Sequence, residues 1–267
     1  MKKVFFPVYA LVFVTCLLLA VSCNKNTEGC GPCKFEVQPD SVSDADGNLY
    51  SQVKIGKQTW LGENVRTTHF ADGSRINNLD TVMGARYFYP AGGPDSVLRY
   101  GLLYNWAAAR QINDSMVRND EIKSVCPNGY HLPTDKEWGQ LVDFVKNCTS
   151  NKVKMSAAKM LAAADSSWQI SQVPNTPGCA LDSNNMSCFG AMPAGHCFIA
   201  DGTGTPQFFS FHSGAYFWSA TPFAFEEGDK ILTNPHAYGR YIGYNEVQAN
   251  KTVSNKKALF SVRCVKD

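Results

Sequence analysis

Cysteine has the widest chemical options in this chain, with ten in 267 residues. Cys30 and Cys33 form CGPC, the spacing of a dithiol redox pair. That chemistry needs the motif at a helix N-terminus after a buried strand, where the thiolate is stabilised. Here the polar stretch NKNTEG precedes it, so a local disulfide or pairing with the main domain is expected. Cys23 follows the small residues Ala20-Val21-Ser22, and before these come Lys2, Lys3 and an uncharged apolar run, Val4 to Ala20. This is the layout of a cleaved secretory signal, and the junction resembles a lipobox. Cys23 would then be diacylated and become the new N-terminus. Each buried acyl methylene adds about 0.8 kcal/mol, so two or three chains tether a protein without a spanning helix. Cys16 belongs to the apolar run. Cys30, Cys33, Cys126, Cys148, Cys179, Cys188, Cys197 and Cys264 remain. An even number in an exported chain points to disulfides and leaves their connectivity open.

The five histidines, His69, His131, His196, His212 and His236, have no metal-ligand spacing such as HExxH. His131 sits between apolar neighbours and reads as structural. Asp44-Ala45-Asp46-Gly47-Asn48 faintly resembles a calcium loop but lacks the further oxygen ligands and the closing Glu. Asp-Gly and Gly-Asn favour a turn there instead. No metal and no cofactor are expected. The chain is rich in aromatics, with 16 Phe, 11 Tyr and 5 Trp. Many fall in a late stretch, from Phe217 to Lys257, that also carries Asn and Gly. Tyr and Trp give large contact area at low entropic cost and Asn and Ser give adaptable hydrogen bonds. Aromatic faces also stack on sugar C–H surfaces. Phe217, Trp218 and Phe260 suit a core as well. In Tyr238-Gly239-Arg240-Tyr241-Ile242-Gly243-Tyr244, an unpaired buried Arg240 would be costly, so one face of the run is expected to meet solvent. Trp218, Tyr238, Arg240, Tyr241 and Tyr244 form the candidate ligand-binding patch.

These residues need a scaffold, and the sequence divides into a signal peptide (1–22), a lipid-anchored linker (23–43) and one domain (44–267). The net charge of +2 implies no nucleic-acid partner. Leu49 to Ile55 and Gln58 to Leu61, joined by Gly56-Lys57, read as a β-hairpin. Tyr100 to Arg110 reads as a helix with Leu102, Trp106 and Ala109 on one face. A second helix opens with a capping box, Thr134 and Glu137. Trp138, Leu141, Val142 and Val145 then form a buried stripe. From Gln207 onward short aromatic strands follow: QFFSF, AYFWSA, HAYGRYIGY and ALFSVRCV.

Five phrases in order, DADGNLYSQVKIGKQTWLGENVRT, VCPNGYHLPTDKEW, FGAMPAGH, FWSAT and FSVRCVKD, resemble the major paralogous domain of Fibrobacter succinogenes. That family occurs in lipoproteins and surface proteins of Bacteroidetes-like bacteria. The resemblance implies a lipid-anchored protein of the outer membrane or cell surface, with a periplasmic orientation also open. HLPTDKEW further resembles the corresponding phrase of formylglycine-generating-enzyme-like domains. Those have an α+β, C-type lectin-like fold, with two helices packed on twisted antiparallel sheets and a long irregular loop region. Such a fold implies a final FSVRCV strand beside the first hairpin, and a Cys126–Cys264 disulfide. Cys179, Cys188 and Cys197 depart from the family pattern and imply extra bridges.

Three functional classes follow. A formylglycine-generating-enzyme-like oxidative enzyme would need a close pair of reactive cysteines late in the chain or a His cluster, whereas Cys264 stands alone. A calcium-dependent lectin would need an acidic triplet in the long loop. Gln38-Pro39-Asp40 lies in the tether instead, and Thr233-Asn234-Pro235 lacks a carboxylate. Metal-independent recognition is the preferred reading. It makes the protein a non-catalytic binding or adhesion module for an extracellular glycan or protein, held on a membrane by its lipid.

Overall fold

The computed structural model describes residues 35–76, 84–110, 124–148, 155–199, 205–223 and 234–267. Cys23, Cys30 and Cys33 lie outside these residues. The described residues form an α+β structure dominated by strands. A five-stranded antiparallel sheet forms the base. Its strands are β1 (Phe35–Ser43), β2 (Leu49–Ile55), β3 (Gln58–Leu61), β6 (Tyr130–His131) and β13 (Val265–Lys266), in the order β1-β2-β3-β13-β6. The β2–β3 hairpin turns at Gly56-Lys57, as its sequence predicts, with Ile55 opposite Gln58. β13 inserts beside it, Val265 facing Trp60, so the chain end returns to the first hairpin.

Residues 35–43, expected as linker, are instead the edge strand of this sheet. They pair with β2 from Phe35↔Ile55 to Ser43↔Leu49, with an irregularity between Gln38 and Val42. Phe35 anchors the strand edge-on against Phe144, centroids 6.0 Å apart. The polar composition of the segment follows from its edge position, where most side chains meet water.

The upper sheet comprises β4 (Tyr87–Phe88), β5 (Leu103–Tyr104), β9 (Gly214–Pro222), β10 (His236–Gly243), β11 (Ala249–Asn255) and β12 (Phe260–Ser261). Its order is β11-β10-β9-β12-β5-β4. β7 (His196–Ile199) and β8 (Pro206–Phe209) form a separate hairpin, which a Gly195↔Ala215 bridge joins to β9.

The helices are α1 (Val97–Tyr100), α2 (Trp106–Arg110), α3 (Asp135–Asn147) and α4 (Ala157–Leu161). α3 carries the expected capping box: the Thr134 hydroxyl accepts from Glu137 N–H, and the Glu137 carboxylate accepts from Thr134 N–H. Trp138, Leu141, Val142 and Val145 are all buried. The single helix expected over 100–110 is instead α1, β5 and α2 in succession. Gly101 breaks it with φ 76°, and a Cβ there would lie 2.6 Å from Asn64 Cβ and 2.8 Å from Val65 O. The chain is thus pressed against the segment after β3, where Leu102 N–H donates to Val65 O.

Strand alternation in β9 separates two cores. Trp218 points to the side of Leu102, Tyr104, Trp106 and Phe260. Phe217 points to the opposite side, with Trp60, Trp138, Phe189 and Ile242. Fully burying each large apolar side chain contributes roughly 1.5–3 kcal/mol. The Cys126–Cys264 disulfide closes the base, as the family resemblance implied. Cys148 is also disulfide-bonded. Cys179 and Cys197 are free thiols, contrary to the expected extra bridges there. Cys197 is buried in β7, where burial pushes its thiol up to about 11.

Two buried cations tie the irregular regions together. Arg263 has no exposed surface. It donates to Asn64 Oδ1 at 2.7 and 3.2 Å, to Leu61 O at 3.2 Å, to Gly190 O at 3.3 Å and to Phe189 O. Its guanidinium also lies 4.4 Å from the Phe189 ring centroid. One side chain thereby joins three of the family phrases, GEN, FGAMPAG and FSVRCV. Lys159, from α4, donates to Ala180 O at 3.0 Å, to Asn184 Oδ1 at 2.8 Å and to Cys179 O, which holds the 176–184 loop.

Candidate ligand-binding surface

Four neighbouring strands each place one ring on the same surface. Phe209 of β8 lies opposite His196 of β7, and Tyr216 of β9 lies opposite Tyr241 of β10. The steps between ring centroids are 5.3 Å from Phe209 to His196, 4.5 Å from His196 to Tyr216 and 4.6 Å from Tyr216 to Tyr241. These steps approximate the strand spacing of about 4.8 Å, so the rings form a row running across the strands. Asn250 of β11 is the next residue in register beyond Tyr241. Phe209 is 45% exposed and the other three rings are half-buried.

The row rests on a buried floor. Phe260 lies 5.3 Å from Tyr216 and 5.7 Å from His196, and it stacks on Trp218 at 4.3 Å. Gly214 and Gly243 are cross-strand partners, and the tyrosine rings lie over them. A Cβ on Gly214 would come within 2.8 Å of the Tyr241 ring and 2.9 Å of the Tyr216 ring. The missing side chains leave room for both rings over this pair of glycines, where they pack against each other. Burial lowers the pKa of His196, so the ring is neutral at physiological pH. Its Nδ1 has no partner among the described residues. Burial also pushes the Tyr241 hydroxyl up to about 12, aided by Tyr216 and Glu246, and Ser210 Oγ lies 3.4 Å from the Tyr216 hydroxyl.

The patch expected from sequence is divided by the strand's two-residue period. Tyr241 belongs to the row. Tyr238 and Arg240 point to the opposite face of β10. Arg240 is buried and ion-paired with Asp135 at the start of α3, 2.9 Å away. Lys251, its cross-strand neighbour, reaches the same carboxylate at 2.8 Å and lies 3.7 Å from the Tyr238 ring centroid. The expectation that Arg240 marks a solvent-exposed face is therefore corrected, because a partner 105 residues earlier in the chain neutralises the charge. Trp218 is wholly buried, its indole N–H donating to Tyr104 O at 2.8 Å, and so belongs to the core. Half-buried Tyr244 packs against the α3-side core, with its backbone tying β10 to Ser213 and Gly178. Phe209, His196 and Tyr216 were not foreseen. The alternation in QFFSF and AYFWSA was legible, but their shared surface depends on strand pairings that local sequence does not encode.

The other candidate groups have structural work. Asp44 accepts from Asp46 N–H, Asn48 N–H and the Tyr50 hydroxyl, closing the expected turn, while Asp46 binds Thr68 and His69. His131 bridges Glu137 at 2.9 Å and the terminal residue Asp267 at 2.7 Å. Among the described residues no group of three or more His, Cys, Asp or Glu could hold a metal ion.

A disulfide-closed α+β domain, with an ordered base sheet and an aromatic surface on its upper sheet, is the class that these features define. The chain belongs to the Fibrobacter succinogenes major domain family, whose model matches residues 53–266. No curated protein and no solved structure matches the chain.

Proposed function

We propose that this protein is a cell-envelope lipoprotein, anchored through Cys23, whose domain is a non-catalytic binding module using the aromatic row. The observation that carries the proposal is the row itself: four rings on four strands, half-exposed above a packed floor. Aromatic faces are the usual energetic anchors of recognition surfaces. The non-catalytic reading is supported by Cys264, the one late cysteine available for oxidative chemistry, which is tied to Cys126. We further propose a C-type lectin-like variant of the α+β architecture. In its favour are the return of β13 to the first hairpin, the packing of α3 against the sheets and the long irregular excursion between α4 and β9.

Two measurements test this. Full-length protein in detergent, applied to a glycan array and to envelope proteins, should retain a ligand that Tyr241→Ala loses. Retention by the variant would reject the row as the site. Cys23→Ala should abolish labelling by a palmitate probe and release the protein from membranes; continued labelling would reject the anchor.

A further inference from the structure

The open edges of the sheets differ in how they are protected. An exposed strand edge is a template for pairing with another chain, and proteins blunt it with Pro, bulges, charges or very short strands. β1 carries Glu36, Pro39, Asp40 and the irregularity between Gln38 and Val42. β4 and β6 are two residues long, and β8 is four residues beginning with Pro206. β11 has seven residues, ANKTVSN, with no Pro and no bulge. It pairs with β10 in unbroken register from His236↔Asn255 to Ile242↔Ala249. Among the described residues no strand pairs with its outer edge. Its one charge, Lys251, is drawn back to Asp135, and Val253, beside its midpoint, is 41% exposed.

The ladder fixes which backbone groups face outward. One pair beyond His236↔Asn255, Lys256 N–H donates to Pro235 O at 2.7 Å. Antiparallel ladder bonds alternate by residue, so Asn250 and Thr252 turn their amides and carbonyls to β10, whereas Lys251 and Val253 turn theirs to the open edge. We infer that this edge pairs with β11 of a second copy of the chain, antiparallel about a two-fold axis at Thr252. Such an interface is self-complementary, as a two-fold requires. Each Lys251 N–H donates to the partner's Val253 O, and each Val253 N–H donates to the partner's Lys251 O. The apolar stem of Lys251 covers the partner's Val253. No like charges stand opposite one another, and the Glu246 end of the strand runs toward the partner's Lys257. Asn250, in line after Tyr241, lies beside the partner's Ser254, so the surface that carries the row continues onto the second copy. The pairing goes beyond the binding reading above and does not depend on it.

The test is disulfide cross-linking of the full-length protein in detergent under mild oxidation, read on non-reducing gels against the wild type with its native thiols. The two Thr252 Cα atoms would be about 4.5 Å apart, as in a pair that shares no hydrogen bond, which a disulfide can span. Thr252→Cys should therefore give a covalent dimer. Asn250→Cys and Ser254→Cys should each give none alone, because each lies four residues along the strand from its own copy, more than about 13 Å. Mixed, the two should cross-link. Light scattering of the wild type, corrected for detergent, should give the mass of two chains. Val253→Pro removes an outward N–H and leaves the β10 ladder whole, and Val253→Lys sets like charges opposite one another. Each should raise the dimer dissociation constant about tenfold or more, and melting curves separate lost pairing from lost fold. A monomeric wild type, or no Thr252→Cys dimer above the wild-type background, overturns the inference. A dimer that survives both Val253 variants overturns it too, as does self-cross-linking of Asn250→Cys or Ser254→Cys. Thr252→Cys joined in intact envelopes to a different protein, and not to itself, would replace the second copy by a foreign strand and likewise overturn it.

Discussion

At the base of the domain, Trp60, Trp138, Phe189 and Phe217 interlock at centroid distances of 4.8 to 6.0 Å, all fully buried. On the upper sheet, Phe209, His196, Tyr216 and Tyr241 stand at similar distances but keep part of their surface in solvent. At the base, Arg263 binds Asn64 and three backbone carbonyls, and Cys264 is covalently fixed. In the row, His196 Nδ1 has no partner among the described residues. The two regions share aromatic content, so composition does not distinguish core from surface. The difference lies in whether the rings have been covered, since a buried polar atom without a partner among the described residues occurs in both regions, Trp60 Nε1 at the base and His196 Nδ1 in the row. A protein that needed the row only for stability would gain by covering it.

The largest effect that would test this contrast is at the disulfide. Replacing Cys126 and Cys264 together by Ser should cost up to about 4–5 kcal/mol in the loop-entropy model, because the two cysteines are 138 residues apart. Urea unfolding checks this. Arg263→Met comes next, at about 3–4 kcal/mol, since it strands buried acceptors and leaves a poorly filled site. Arg263→Lys should recover little, because an ammonium lacks the fork that reaches Asn64 and the carbonyls together. Arg240→Ala should cost about 2 kcal/mol by breaking a mostly buried ion pair, yet leave the proposed ligand binding by the row intact. Loss of binding with unchanged stability would return Arg240 to the recognition surface.

A smaller, pH-dependent effect is expected at the His131 clasp. Its hydrogen bond to the Glu137 carboxylate raises the His131 pKa above 6.5, against the opposing effect of burial, and Asp267 adds to the rise. For Glu137, burial acts to raise the pKa, but hydrogen bonds from His131 and Thr134 outweigh it and bring it down to about 2. The histidine contribution is fully present below 6.5 and fades as pH rises through the folded value. The glutamate contribution is fully present above 4.5 and fades as pH falls toward 2. The stability difference between wild type and His131→Gln should therefore peak between pH 4.5 and 6.5 and shrink on either side. A flat difference across pH would show that the clasp does not titrate. The smallest stability effect belongs to Phe209→Ala, under about 1 kcal/mol for a ring that is half-exposed. A drop comparable to that of Arg263→Met would make the row a core element and erase the contrast.

The sequence by itself determined the parts whose causes are local. Thr134 and Glu137 sit three residues apart and cap α3, Trp138 to Val145 recur at helical spacing, and Gly56-Lys57 joins two β-type runs. In each case, the interacting residues are near one another along the chain. The family phrases carried the Cys126–Cys264 pairing and the return of the last strand. Only the tertiary structure decided that Phe35 to Ser43 forms an edge strand, that Gly101 breaks a helix against Asn64, and that Arg240 meets Asp135 across 105 residues. The row belongs with these. Alternation tells which residues share a face of one strand, but His196, Phe209, Tyr216 and Tyr241 become neighbours only when β7, β8, β9 and β10 align. That alignment is set by long-range pairing and by the bridge at Gly195 and Ala215, interactions that no local pattern specifies.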